Sequence, residues 1–341
     1  MKISISLYFL VIVVGLSAQS THTYSVVQNV EWAKPGGHSL TMDIYTPQTG
    51  KTNYPVYVIF HGGGWLINNE TIMDQMSAYM AEHGEYVICN VNYRLLPMNN
   101  NTITLNQMVE DVFGAVLWIK ENIGKYKGDA KKIAVSGDSA GGHLSEMIVV
   151  CGTRLESDGY AGSSLGFNPT YLPKGKTAEQ IAQENGLEVQ AAVLNYPAID
   201  FYKAALGDGT NGFESNSNFF WSMGGAKARG VFGDQVNVKN NPNHYKAVSP
   251  NYFVPKAAER KLPPQLVTVG TKDNLTTPAS VQEYVRQLKE AGQPVEYWEH
   301  KDRPHAYLDS GSNQYLGISF EKDAPEAIDK IISWLDSVFG K

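Results

Sequence analysis

The sequence predicts an α/β protein, with one mostly parallel central sheet and helices on both faces. Three observations carry this. From about residue 54 onward, short apolar runs alternate with stretches of helical periodicity. The runs, YPVYVIF (54–60) above all, are nearly continuous in apolar residues, as strands buried on both faces must be. The chain has 341 residues, 43% of them hydrophobic and 18% charged, enough for one large folded core. A net charge of −6 argues against nucleic acid or an anionic membrane surface as partner.

The elements follow in order. Residues 1–20, MKISISLYFLVIVVGLSAQS, hold Lys2, an apolar block over 7–16 and a small-residue end at Ala18-Gln19-Ser20. That is the layout of a signal peptide cleaved after Ser20. Its block is shorter than the roughly 20 apolar residues of a membrane span. The expectation is a secreted or periplasmic protein whose mature domain runs over 21–341, with no stable membrane span. YSVVQNVEW and SLTMDIYTP alternate polar and apolar residues around AKPGGH and predict two strands of a hairpin or meander. YPVYVIF predicts a buried strand, 71–82 a helix, and EYVICNVNY another buried strand. In LNQMVEDVFGAVLWIKENI, Met108, Val112, Ala115, Val116 and Ile119 recur at helical spacing. KKIAVSG predicts a strand and AGGHLSEMIVVCG a helix. Strands within LEVQAAVLNYPAID and LPPQLVTVGTKD follow, then the helix PASVQEYVRQLKEAG, the strand PVEYWEH and the helix APEAIDKIISWLDSVF. The two cysteines, Cys89 and Cys151, fall in a core strand and at a helix end, and read as buried thiols.

Two segments break the alternation, about 154–185 and 201–261. Both exceed an ordinary connection, which makes them cap-like insertions into a single domain. The second carries Phe219, Phe220, Trp221 and Met223 together.

The chemistry-bearing motifs sit at strand ends. Gly137-Asp138-Ser139-Ala140-Gly141 matches G-x-S-x-G between a strand and a helix, where flanking glycines give room for a sharp turn. His61-Gly62-Gly63-Gly64-Trp65 follows a buried strand, and glycines let backbone N–H groups approach a developing oxyanion closely. The N–H groups of Gly63, Gly64 and Ala140 are the candidate donors, and His61 reads as a shaping residue. A serine nucleophile needs a base, and the base needs an orienting carboxylate. Of eight histidines, His305 lies in the loop beyond the last strand and is preferred to His300 at the strand's end. Asp273 lies in the loop after a strand, one helix and one strand before His305, and is preferred to Asp302. Asp138, His143 and Glu146 read as local structure around the serine.

HGGGW, VNYRL, GDSAGG, GTKD and RPHAY resemble, in order and spacing, the hormone-sensitive-lipase-like (HGGG) carboxylesterases of the α/β-hydrolase fold. The resemblance covers roughly 56–339, outside the two insertions. It implies Ser139, Asp273 and His305 as a catalytic triad and Gly63, Gly64 and Ala140 as the oxyanion hole, with no cofactor and no metal. Arg94 and Asp111 match a structural ion pair of the family. Where relatives continue YRLAPE, this chain reads YRLLPMNNNTI. The implied activity is hydrolysis of short-chain or carbohydrate-linked (acetyl or feruloyl) esters, the secreted bacterial type being the nearest. The alternative is an amide-cleaving hydrolase with the same triad. Trp65, Phe219, Phe220 and Trp221 are the candidate substrate-pocket residues.

Overall fold

The computed structural model describes residues 21–161, 163–208 and 212–340, so the signal-peptide reading falls outside the described residues. Eight strands form one sheet: β1 (Tyr24–Ala33), β2 (Leu40–Pro47), β3 (Tyr54–Phe60), β4 (Val87–Val91), β5 (Gly128–Asp138), β6 (Ala191–Asn195), β7 (Gln265–Gly270) and β8 (Val295–His300). Their order is β1-β2-β4-β3-β5-β6-β7-β8. The first two pairings, β1 with β2 and β2 with β4, are antiparallel, and the rest are parallel.

The continuous apolar runs are the central strands. Every residue of β3, β6 and β7 is buried, because helices cover both faces there. The edge strand β1 does not keep the alternation that the sequence predicts: residues 25–29 are all exposed, Val26 and Val27 among them, and Trp32 is its one buried residue. The helices Asp74–His83, Leu105–Asn122, Ala140–Cys151, Pro278–Glu290 and Pro325–Phe339 cover the sheet. The first begins as a 3-10 turn at Glu70–Met73, capped by Asn69, where the sequence predicts one helix over 71–82. A short hairpin, Ser312–Asn313 with Ile318–Ser319, is an element that the sequence does not announce. Cys89 and Cys151 are buried free thiols. Among the described residues, no helix is long and apolar enough to cross a membrane.

The order β4-β3-β5 places the turning point of the sheet between β3 and β5, where crevices form at the carboxyl ends of strands. Phe60 pairs with Gly137 there, so the HGGGW and GDSAGG segments leave the sheet side by side. The segment 154–190 lies between the helix Ala140–Cys151 and β6. Its Thr170 hydroxyl bonds Asp111 at 2.5 Å, on a pair that Arg94 holds at 2.6 Å. The altered YRLLP segment therefore keeps the ion pair, with a threonine from the insertion added to it. The second segment carries the helices Phe201–Leu206, Phe219–Met223 and Pro242–Ala247.

Glu146, on the helix that follows Ser139, is buried and accepts the Tyr284 hydroxyl. Burial pushes its carboxyl up to about 8, against the pull of that hydrogen bond and of Arg260. The folded protein thus keeps this proton where an unfolded glutamate, with an ordinary value of 4.5, has lost it. The group's contribution to stability is full below about pH 4.5 and declines as pH rises towards 8. Glu146→Gln keeps the hydrogen bond without the charge. It is expected to flatten that decline, by up to on the order of 4 kcal/mol at high pH. Denaturation midpoints of both proteins at acid and alkaline pH measure the difference.

Candidate active site

Ser139 sits between β5 and the helix Ala140–Cys151 with φ 51° and ψ −114°. A non-glycine residue holds this conformation only when its surroundings enforce it. Here the Ser139 N–H donates to Asn195 O at 2.9 Å, and its carbonyl accepts from His143 N and Ala198 N, each at 3.1 Å. Glycines on both sides make the turn sterically feasible. A Cβ on Gly137 would strike the backbone of Gly141, and one on Gly141 would strike the carbonyl of Phe60.

The structure brings the three predicted side chains into one chain of hydrogen bonds. His305 Nε2 lies 3.0 Å from Ser139 Oγ. His305 Nδ1 lies 2.7 Å from Asp273 Oδ2. A carboxylate can only accept, so Nδ1 carries the proton and Nε2 is free to take one from the serine. All three residues are buried. Asp273 is itself held. Its Oδ1 accepts the N–H groups of Leu275 at 2.8 Å and Thr276 at 2.9 Å, and the Thr276 hydroxyl lies 3.0 Å from Oδ2. His300 and Asp302 are elsewhere engaged. His300 Nε2 bonds Asp323 O at 2.8 Å and its ring stacks on Trp298. Asp302 is exposed and pairs with Lys272.

The loop after β3 faces this group. Gly62 N–H donates to Asp138 Oδ1 at 2.7 Å, which ties the glycine run to the residue before Ser139. Gly63 and Gly64 both have positive φ, 115° and 59°. Among the described residues, no protein acceptor takes the N–H of Gly63, Gly64 or Ala140. Ala140 opens its helix, where N–H groups lack intrahelical partners and the dipole favours negative charge. Asp138 is buried, and burial pushes its carboxyl up to about 6, against the pull of His305 and of the Gly62 N–H. That cross-link between two loops is a role the sequence pattern does not disclose.

The neighbouring histidines are structural. His61 Nδ1 donates to Gly62 O at 2.7 Å, its ring stacks on Tyr93, and burial lowers its pKa to about 4. His143 donates from Nε2 to Val248 O at 2.6 Å and accepts the Trp65 indole N–H at 3.2 Å on Nδ1. Burial lowers its pKa to about 4 as well, which keeps it neutral.

The four candidate pocket aromatics divide. Phe219 is 45% exposed and stacks on Phe220, whose ring lies against Gly64, so that a Cβ there would come within 2.7 Å of it. Trp65 and Trp221 pack inward. Both are buried, 4% and 2% exposed. Trp65 meets Phe201 and Phe213 edge-on, and the Trp221 indole N–H donates to Phe213 O at 2.7 Å. Each indole finds its acceptor inside the protein, and these rings brace the second insertion.

A serine, histidine and aspartate joined this way on the carboxyl edge of a mostly parallel sheet define an α/β-hydrolase fold. Within that class, the chain belongs to the BD-FAE family, whose model matches residues 42–288. Carboxylesterase NlhH of Mycobacterium tuberculosis is 33% identical over 105 residues, 31% of this chain and 32% of the relative. Esterase LipQ of the same species is 27% identical over 277 residues, 80% of this chain and 55% of the relative. The chain thus spans about a third to just over half of these relatives' lengths. Two solved structures share the fold. Esterase 2 of Thermogutta terrifontis, phosphonylated by sarin, has a TM-score of 0.65 at 19% identity, covering 92% of this chain and 95% of that one. A truncated carbohydrate esterase from gut microbiota has a TM-score of 0.66 at 21% identity, covering 95% and 99%.

Proposed function

We propose that the protein is a secreted serine carboxylic ester hydrolase that works through an acyl-enzyme. The observation that carries this reading is the chain from Ser139 through His305 to Asp273, with bonds of 3.0 and 2.7 Å, facing three unclaimed backbone N–H groups. His305 takes the Ser139 proton as Oγ attacks the ester carbonyl. The N–H groups of Gly63, Gly64 and Ala140 receive the oxyanion, and Asp273 stabilises the imidazolium. The imidazolium gives its proton to the leaving alcohol. Water then attacks the acyl-enzyme, with His305 again as base.

The substrate class we propose is short-chain or carbohydrate-linked (acetyl or feruloyl) esters. Relatives named carboxylesterase and esterase, and a structural neighbour named carbohydrate esterase, support it. The two insertions act as a small cap on the single domain, with Phe219 and Phe220 along the entrance. The leader-like residues 1–20 support export.

The test is hydrolysis of p-nitrophenyl acetate and longer acyl esters, of acetylated xylan and of feruloylated sugars, beside matched amides. Turnover of esters, together with a single fluorophosphonate adduct on Ser139, is the expected result. Faster cleavage of the amides would overturn the ester reading.

A further inference from the structure

The Thr276 hydroxyl touches the pair formed by His305 and Asp273 from a third side. Its Oγ1 lies 2.8 Å from Tyr196 O, 3.0 Å from Asp273 Oδ2 and 3.2 Å from His305 Nδ1. Thr276 is buried. We propose that Thr276 is a positioning residue that holds the imidazole of His305 and helps to stabilise its protonated form, an inference that rests on the function proposed above.

The hydroxyl has one proton to give. Asp273 Oδ2 already receives the Nδ1–H of His305 at 2.7 Å, and Tyr196 O is the closer acceptor. Donation to Tyr196 leaves a lone pair of Oγ1 facing Nδ1. The Nδ1–H is then shared between the carboxylate and the hydroxyl oxygen, and both attractions strengthen when His305 becomes cationic. The surroundings fix this arrangement. Tyr196 has φ 37°, is buried, and meets His305 edge-on with ring centroids 4.8 Å apart. Asp273 folds the backbone of Leu275 and Thr276 back onto its own carboxylate, which carries the residue three places later against it. A valine there would keep the shape and remove the acceptor. A serine would keep the acceptor and remove only a methyl group.

The experiment compares Thr276→Val, Thr276→Ala and Thr276→Ser in the full protein. In the valine and alanine variants, kcat on p-nitrophenyl acetate is expected to fall about tenfold with KM little changed, and the apparent pKa of the base in the pH profile to fall by up to about one unit. Serine restores both. Two further measurements need no ester: the downfield proton resonance of His305 Nδ1–H, expected to move in the valine variant, and the rate at which a fluorophosphonate labels Ser139. The alanine variant serves if valine does not fold. If the serine variant behaves like alanine, or if activity falls with the pH profile and resonance unmoved, Thr276 only packs and the proposal is overturned, while wild-type labelling leaves the hydrolase reading intact. A wild-type protein that the probe does not label overturns both.

Discussion

Ser139→Ala is expected to lower kcat for ester hydrolysis by on the order of 10⁶ while leaving the fold unchanged. The methyl group fits the same turn, so the strained φ of 51° and its three backbone hydrogen bonds persist. What vanishes is the hydroxyl that lies 3.0 Å from His305 Nε2. The N–H groups of Gly63, Gly64 and Ala140 remain and leave a residual rate above that of water. Asp273→Asn is expected to cost on the order of 10⁴. An amide that presents its NH₂ to Nδ1 would force the proton onto Nε2, where it blocks acceptance from Ser139. Steady-state rates on p-nitrophenyl acetate, with circular dichroism for the fold, check both. Ser139→Ala retaining a tenth of the wild-type activity would remove Ser139 from the mechanism.

The framework was legible wherever one residue pattern answers to one physical demand. β3, β6 and β7 are buried throughout because both their faces are covered, which asks for mostly apolar runs; Asn195, Gln265 and Thr268 are the polar exceptions within them. The alternation read along β1 does not hold, because this edge strand shifts register twice against β2 and buries only Trp32. Ser139, Asp273 and His305 could be placed because each follows a recognisable strand. The relation between Gly62 and Asp138 could not, because these residues are 76 positions apart and meet only through the pairing of β3 with β5. Thr276 went unnoticed for a similar reason. A threonine in TTP before a helix reads as a cap, a role that its neighbour Thr277 in fact performs by accepting from Ser280 N. Trp65 and Trp221 show a different limit. Aromatic residues beside a glycine loop or in a long insertion fit a pocket wall and a packed brace equally well in sequence, and the internal acceptor of each indole N–H is visible only once distant segments meet.

Gly141→Ala is expected to destabilise the protein by more than about 4 kcal/mol, or to prevent folding, whereas Gly142→Ala one position later is expected to cost clearly less, on the order of 1–3 kcal/mol. The two substitutions add the same methyl group to the same helix. At Gly141 the added Cβ would overlap the carbonyl oxygen of Phe60, with the Phe60 carbon at 2.6 Å and His61 O at 2.7 Å. All three are backbone atoms at the end of β3, and none can yield without moving the strand. At Gly142 the nearest atoms are Pro197 Cβ at 2.9 Å and Gly137 O and Pro197 Cα at 3.1 Å, so these neighbours must shift by a few tenths of an ångström, far less than the overlap at Gly141 demands. Alanine also favours a helix over glycine by about 1 kcal/mol, which offsets part of that strain. Thermal unfolding of the two variants decides the matter, and equal losses would refute the steric account. The contact at Gly141 also has a catalytic side. It lets the nucleophile's helix press directly onto the end of β3, the strand whose following loop carries Gly63 and Gly64. A Cβ at this point would therefore separate the donors proposed for the oxyanion before it broke the fold, so any Gly141→Ala protein that does fold should lose kcat by on the order of a hundredfold with little change in KM.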